Sequence, residues 1–164
     1  SQTACRSFIA DKKELLMSEY AVNLSWSLRD GRLEAGQYNV NHRMRFSGGL
    51  EAMMTSAPDW GGDARYVNPE EAIASALSSC HMMTFLALCA KAGWRLTAYK
   101  DRAVASLGKM PDGRMQVSAI ALHPEMVFED GHEKTKAECE EMHERAHRYC
   151  FVANALKCEM SVNL

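Results

Sequence analysis

The chain has no excess of basic charge: nineteen Lys and Arg stand against twenty-one Asp and Glu, a formal net charge of −2. A general nucleic-acid binder draws its affinity from a basic surface, so that class is set aside. Internal repeats, low-complexity tracts and coiled-coil runs are missing too, and a length of 164 residues fits a single domain over 1–164. The opening SQTACRSFIADKKELL has no continuous apolar segment and does not read as a signal peptide. Nor does any apolar run reach the length of a membrane span. The most apolar stretch is bracketed by Glu70, Glu71 and Lys91 and interrupted by Ser78, Ser79, His81 and Thr84. Disulfide-scaffold logic is also weak. Six cysteines, at 5, 80, 89, 139, 150 and 158, sit in a chain with two apparent core helices, so a reducing compartment, the cytoplasm, is the expectation.

What is present is organised around residues 68–93, NPEEAIASALSSCHMMTFLALCAKAG. Asn68 is a helix cap, Pro69 suits the first turn, Glu71 stands where a capping box places its acceptor, and Gly93 closes the other end. Apolar groups at Ile73, Leu77, Cys80, Met82, Met83, Phe85, Leu86 and Leu88 leave hardly any solvent stripe, so the spacing predicts a helix buried on most sides.

Around it the pattern predicts strands. Residues 1–18 read as an N-terminal arm or a short helix around Phe8 to Met17. Period-two segments follow at Ala21 to Leu28 and Tyr38 to Phe46, separated by the Asp30-Gly31 turn. A short strand at Leu50 to Ser56 leads into a loop with Pro58, Trp60, Gly61-Gly62, Arg65 and Tyr66. After the helix come strands at Trp94 to Leu107 and Arg114 to Leu122, a bend at His123-Pro124, and a further strand to Phe128. A charged helix at Lys134 to Tyr149, a continuation or new helix at Phe151 to Leu156, and a last strand to Leu164 complete the order. This is an α+β arrangement of antiparallel sheets wrapped around one long apolar helix. One subunit of this size has trouble covering such a helix, and a homodimer with two central helices packed together supplies the cover.

Chemistry concentrates in the cysteines. Cys89 reads as a buried thiol. Cys139, among Glu138, Glu140 and Glu141, is disfavoured as a thiolate and is assigned to the surface. His143, His147 and Cys150 share one helix face if the helix stays regular through Cys150, which makes HxxxHxxC a three-ligand metal pattern, without a fourth ligand nearby. Cys80, in SSCH, is either an inert core thiol or one half of a pair with Cys150. Peroxide reduction needs a thiolate to attack an O–O bond and a second thiol to condense with the sulfenic acid formed. Arg29, Arg43 and Arg45 are candidate activating cations.

Two stretches carry a resemblance. Asn68-Pro69-Glu70-Glu71 followed by Ala76-Leu77-Ser78-Ser79-Cys80-His81, and then Ala146-His147-Arg148-Tyr149-Cys150 with Val152 to Leu156 behind it, resemble the OsmC/Ohr family (osmotically inducible protein C and organic hydroperoxide resistance protein), in its general OsmC-like branch. The resemblance implies an OsmC-like fold, an intertwined homodimer and a two-cysteine peroxidase site. By it, Cys80 matches the peroxidatic cysteine, Cys150 the resolving one and Glu70 the acid that orients an arginine. Arg29, in SLRDG, is the preferred arginine and Arg43 the reserve. The implied substrate is an organic hydroperoxide and the implied reductant an external dithiol, such as a lipoylated or thioredoxin-like protein, with no bound cofactor or metal and no nucleic-acid or membrane partner. Two departures stand out. Phe151 occupies the place where proline usually follows the second cysteine, which points to a helix continuing through Tyr149 to Val152. Glu70 also lies about 15 Å along an ideal helix from Cys80, too far for a direct bond. A thiol or small-ligand binding module without efficient turnover is the competing reading.

Overall fold

The computed structural model describes residues 18–164. The N-terminal arm, apart from Ser18, and Cys5 therefore lie outside the described residues. Two compact units are divided after Tyr66.

In the first unit, β1 (Val22–Ser25), β2 (His42–Phe46) and β3 (Glu51–Met54) form an antiparallel sheet in that order. The strands are shorter than the alternation predicts. Local side-chain bonds claim the backbone before β2: Asn39 Oδ1 accepts the Asn41 N–H at 2.7 Å, and the Asn39 carbonyl accepts the Trp26 indole N–H at 2.6 Å. The predicted loop contains a 3-10 turn at Pro58–Trp60. Gly62 is required there by space, since a Cβ would stand 1.6 Å from the Ser56 carbonyl oxygen. Among residues 18–66 only Met54 and Thr55 are buried, so this sheet brings little core of its own.

The second unit is built on α1 (Pro69–Lys91). Its start is the expected capping box: Asn68 Oδ1 accepts the Glu71 N–H at 2.8 Å and Glu71 Oε2 accepts the Asn68 N–H at 3.2 Å. Its end is a Schellman motif. Gly93 takes φ +72°, its N–H donates to the Ala90 carbonyl, and the Trp94 N–H donates to that of Cys89 at 2.9 Å.

Five further strands and two helices follow. β4 (Leu96–Asp101) pairs antiparallel with β7 (Pro124–Phe128), and β5 (Val104–Lys109) pairs antiparallel with β6 (Met115–Leu122). The stretch expected as one strand from Trp94 to Leu107 is thus two. The break has a cause: Asp101 Oδ1 accepts the His123 N–H at 2.7 Å, and the Arg102 carbonyl lies 2.8 Å from His123 Nδ1. The two chain bends at 101–103 and 123–124 are tied together, and the partner changes there. The last strand, β8 (Glu159–Val162), joins β6 in parallel, where antiparallel pairing throughout was expected.

α2 (Lys136–Tyr149) starts with a second capping box, from Thr135 and Glu138, and α3 (Phe151–Ala155) follows. Between them Cys150 has φ −75° and ψ 115°, so the predicted continuation through Tyr149 to Val152 is broken at that residue. α1 buries Ala74, Leu77, His81, Phe85 and Cys89, one face at three- and four-residue spacing. Contrary to the expectation of burial on most sides, Ala76, Ser79, Met83, Leu86, Ala87 and Ala90 are exposed within the chain. By length and a mean hydropathy of 1.6 over 18 residues this helix would qualify as a membrane span. Its buried face instead packs on α2, α3 and the strands of its own unit.

Candidate functional site

Cys80 sits near the middle of α1, and the break after α2 turns Cys150 back onto it. Both belong to one apolar cluster with Leu77, Ile120, Leu122 and Ala153. Cys150 is 0 % exposed and Cys80 partly exposed. Cys80 packs against Cys150 in that cluster, and Cys150 Sγ accepts the Ala153 N–H at 3.4 Å. That last bond makes Cys150 the side-chain cap of α3.

The two thiols are driven in opposite directions. Burial opposes ionisation of Cys80, but the Val152 N–H, the Cys150 thiol and the Phe151 N–H outweigh it and hold Cys80 below the ordinary thiol range, while the Thr84 hydroxyl donates to the Cys80 carbonyl at 2.9 Å. For Cys150 burial wins: despite the Ala153 N–H, desolvation and the neighbouring Cys80 hold its thiol above that range. The site therefore contains one thiol poised to ionise and one poised to stay protonated, side by side.

Phe151 bears directly on this arrangement. Its backbone N–H is one of the donors to Cys80, a contribution that a proline at the same position cannot make.

Other expected residues are placed as follows. Glu70 lies in the first turn of α1; its Oε2 is buried and has no hydrogen-bond partner among the described residues. Arg29 and Arg43 belong to the first unit. Arg43 Nε stands 3.7 Å from Glu51 Oε2, and Arg29 makes no ion pair among the described residues. No arginine is among the groups that set the ionisation of Cys80. Phe85 is fully buried core, Met83 and Trp60 are exposed, and Met82 lines a groove of about 410 Å³ with Ser75, Ser78, Tyr99 and Asp101.

The metal pattern does not assemble. Regular helix stops before Cys150, whose sulfur faces Cys80, and among the described residues no group of three or more His, Cys, Asp or Glu is arranged to hold an ion. Cys139, expected at the surface, is buried, because Cys139, Met142, His143 and Ala146 form the inward stripe of α2. Burial, then Glu138, raises its thiol. Cys89, buried as expected, is pushed up to about 11 by burial and then by Cys139.

Residue spacing gave no sign of one contact. His81 Nε2 lies 2.8 Å from His143 Nδ1, across 62 residues of sequence. Both rings are buried, and burial pushes them down to about 4 and about 3, so both are uncharged near neutrality.

Comparison with known proteins places this geometry. The family model described as OsmC-like protein matches residues 61–164. Comparison with curated proteins finds no match. Among solved structures, an OsmC-like protein of unknown function from Vibrio cholerae is 35 % identical over 90 % of this chain and 99 % of its own, with a TM-score of 0.82. An organic hydroperoxide resistance protein from Legionella pneumophila, 17 % identical over 91 % of this chain and 99 % of its own, has the same fold at a TM-score of 0.69. One from Elizabethkingia anophelis, 18 % identical over 91 % and 98 %, does so at 0.70. The chain, with its long capped helix carrying Cys80 and its broken helix returning Cys150, belongs to the OsmC-like protein family.

Proposed function

We propose that the protein is a thiol-dependent peroxidase that reduces organic hydroperoxides to alcohols. The observation that carries this is the packing of two free thiols in one apolar cluster, Cys80 partly exposed and Cys150 fully buried, with the first favoured as the thiolate. The Cys80 thiolate attacks the terminal oxygen of ROOH; the O–O bond breaks, RO⁻ takes a proton and leaves as alcohol, and Cys80 becomes a sulfenic acid. Cys150 then attacks that sulfur, hydroxide leaves as water, and an 80–150 disulfide forms. An external dithiol restores both thiols by exchange and is itself oxidised.

The buried, unpartnered oxygen of Glu70 suits a guanidinium, with Arg29 the first choice and Arg43 the reserve. The exposed row Ala76, Ser79, Met83, Leu86, Ala87 and Ala90 on α1 fits a second copy of the chain, which completes the subunit as a homodimer. The names borne by two of its fold relatives make organic hydroperoxides the substrates to try first.

One equivalent of cumene hydroperoxide, added to reduced protein and to C80A and C150A variants and followed by mass analysis, tests the reading. An 80–150 disulfide in the parent and a trapped sulfenic acid on Cys80 in C150A are expected. Unchanged thiols in folded, reduced protein overturn it and favour a binding module.

A further inference from the structure

His81 directly follows Cys80 in α1, and His143 lies in α2, the helix whose broken end delivers Cys150. Their rings are 4° from parallel, and the His143 ring stacks on Phe85 with centroids 4.1 Å apart. Among the described residues theirs is the one side-chain hydrogen bond joining α1 to α2. It is an expensive joint. Two neutral imidazoles that share one bond leave an outer N–H on one ring and a bare nitrogen on the other, and His81 Nδ1 and His143 Nε2 are indeed buried without partners. Two apolar side chains of similar shape would fill the same space with no unpaired polar atoms.

What the bond adds over apolar packing is direction. Apolar contacts let helices slide by a fraction of an ångström at little cost, whereas an N–H···N bond of 2.8 Å fixes distance and angle at one point. That point is one residue from Cys80. Disulfide formation tolerates only a narrow range of separations, with Cα atoms about 4.4 to 6.8 Å apart. A slip of α2 along α1 by half a turn shifts Cys150 by about 2.7 Å relative to Cys80, as much as the whole width of that range.

We infer that His81 and His143 are positioning residues whose mutual hydrogen bond holds α2 against α1 in the register at which the thiols of Cys80 and Cys150 meet. The inference rests on the two-cysteine reading but not on the substrate. It sets the ease of closing the disulfide.

Equilibration of the full chain in glutathione buffers tests it, because the ratio of disulfide to dithiol forms gives the effective concentration of the two thiols without any peroxide. In the double variant His81→Leu/His143→Leu both partners go together, so no new unpaired atom is created. It is expected to fold with parent-like circular dichroism and thermal midpoint, yet to show an effective concentration at least tenfold lower. His143→Asn, whose amide occupies the place of Nδ1, is expected to stay within about threefold of the parent. A folded double variant within twofold of the parent overturns the inference.

A second measurement needs no variant. The through-bond 15N–15N coupling between the two rings must persist in both the reduced and the disulfide forms, and its loss on oxidation overturns the inference too. A parent that closes the disulfide with glutathione but is inert to hydroperoxide defeats the peroxidase reading alone.

Discussion

Cys80 packs against the buried Cys150, and each thiol acts on the other: Cys150 helps to hold Cys80 below the ordinary thiol range, and Cys80 helps burial to hold Cys150 above it. At neutral pH a thiol-specific alkylating agent is therefore expected to modify Cys80 first among the described cysteines. Cys150, Cys89 and Cys139 should lag by at least tenfold, being buried and poor thiolates. Mass mapping of partially alkylated protein checks the order, and preferential labelling of Cys89 or Cys139 would contradict it.

Phe151→Pro separates a backbone effect from a side-chain one. The Phe151 side chain is 85 % exposed, and proline is well tolerated in the first turn of a helix, so stability should hold within about 0.5 kcal/mol. The substitution removes one N–H donor from the Cys80 sulfur. A several-fold slower alkylation of Cys80 at neutral pH is expected, while Phe151→Ala, which keeps the N–H, should match the parent.

Acid should loosen the unit through the histidine pair. Both imidazoles are uncharged in the folded state, at about 4 and about 3 against an ordinary value of 6.5. The unfolded chain therefore binds protons first, and the stability is fully present above pH 6.5 and lost as the pH falls through 4 and 3. Each ring contributes at most about 1.4 kcal/mol per pH unit over that window. Around the pair, His147 opposes protonation of His81 and Asp101 favours it, while Phe85 and Tyr99 supply aromatic faces to His143. Chemical denaturation at pH 7, 5.5 and 4.5 should show a steeper decline in the parent than in His81→Leu/His143→Leu; parallel declines would remove the pair as the cause.

Asp101 holds the chain crossing between β4 and β5. Its carboxylate takes the Ser78 hydroxyl with one oxygen and the His123 N–H with the other. Asp101→Ala leaves a hydroxyl and a backbone donor unsatisfied and should cost about 3 kcal/mol, read as a lower denaturation midpoint. Asp101→Asn, which keeps an acceptor, should lose less than half of that.

The dimer expected from the open face of α1 can be tested at its most exposed large residue. Met83 is 58 % exposed in the single chain. Light scattering of the parent should give twice the chain mass of 18.3 kDa, and Met83→Asp, with or without Leu86→Asp, should shift it to the chain mass. A parent of single-chain mass would leave the apolar row without the cover argued above.

Local signals are legible in the sequence. The caps of α1 depend on Asn68, Glu71 and Gly93, each acting within four residues, and the structure shows each in place. Contacts set at long range were harder. Cys139 was placed at the surface because its sequence neighbours are glutamates, although counting Cys139 and His143 as inward residues reveals the stripe 139, 142, 143 and 146. The break at Cys150 is not written in TyrCysPheVal, which contains neither glycine nor proline; the fixed place of α3 in the core selects its extended dihedrals. The His81 and His143 contact has no spacing rule at all, since α1 and α2 are separated in sequence by four strands and meet only in the folded chain.

Because Cys150 Sγ is itself the cap of α3, the redox state of that sulfur and the folding of the next five residues share an atom. A disulfide sulfur no longer has the position or freedom of a thiol to serve as acceptor, and a helix of little more than one turn has no internal reserve to replace a lost cap. Oxidation would thus be legible from outside as a loosening of Phe151 to Ala155, the segment that carries the exposed Phe151 ring. A reductant could distinguish spent from ready protein by that frayed corner, without touching either sulfur first.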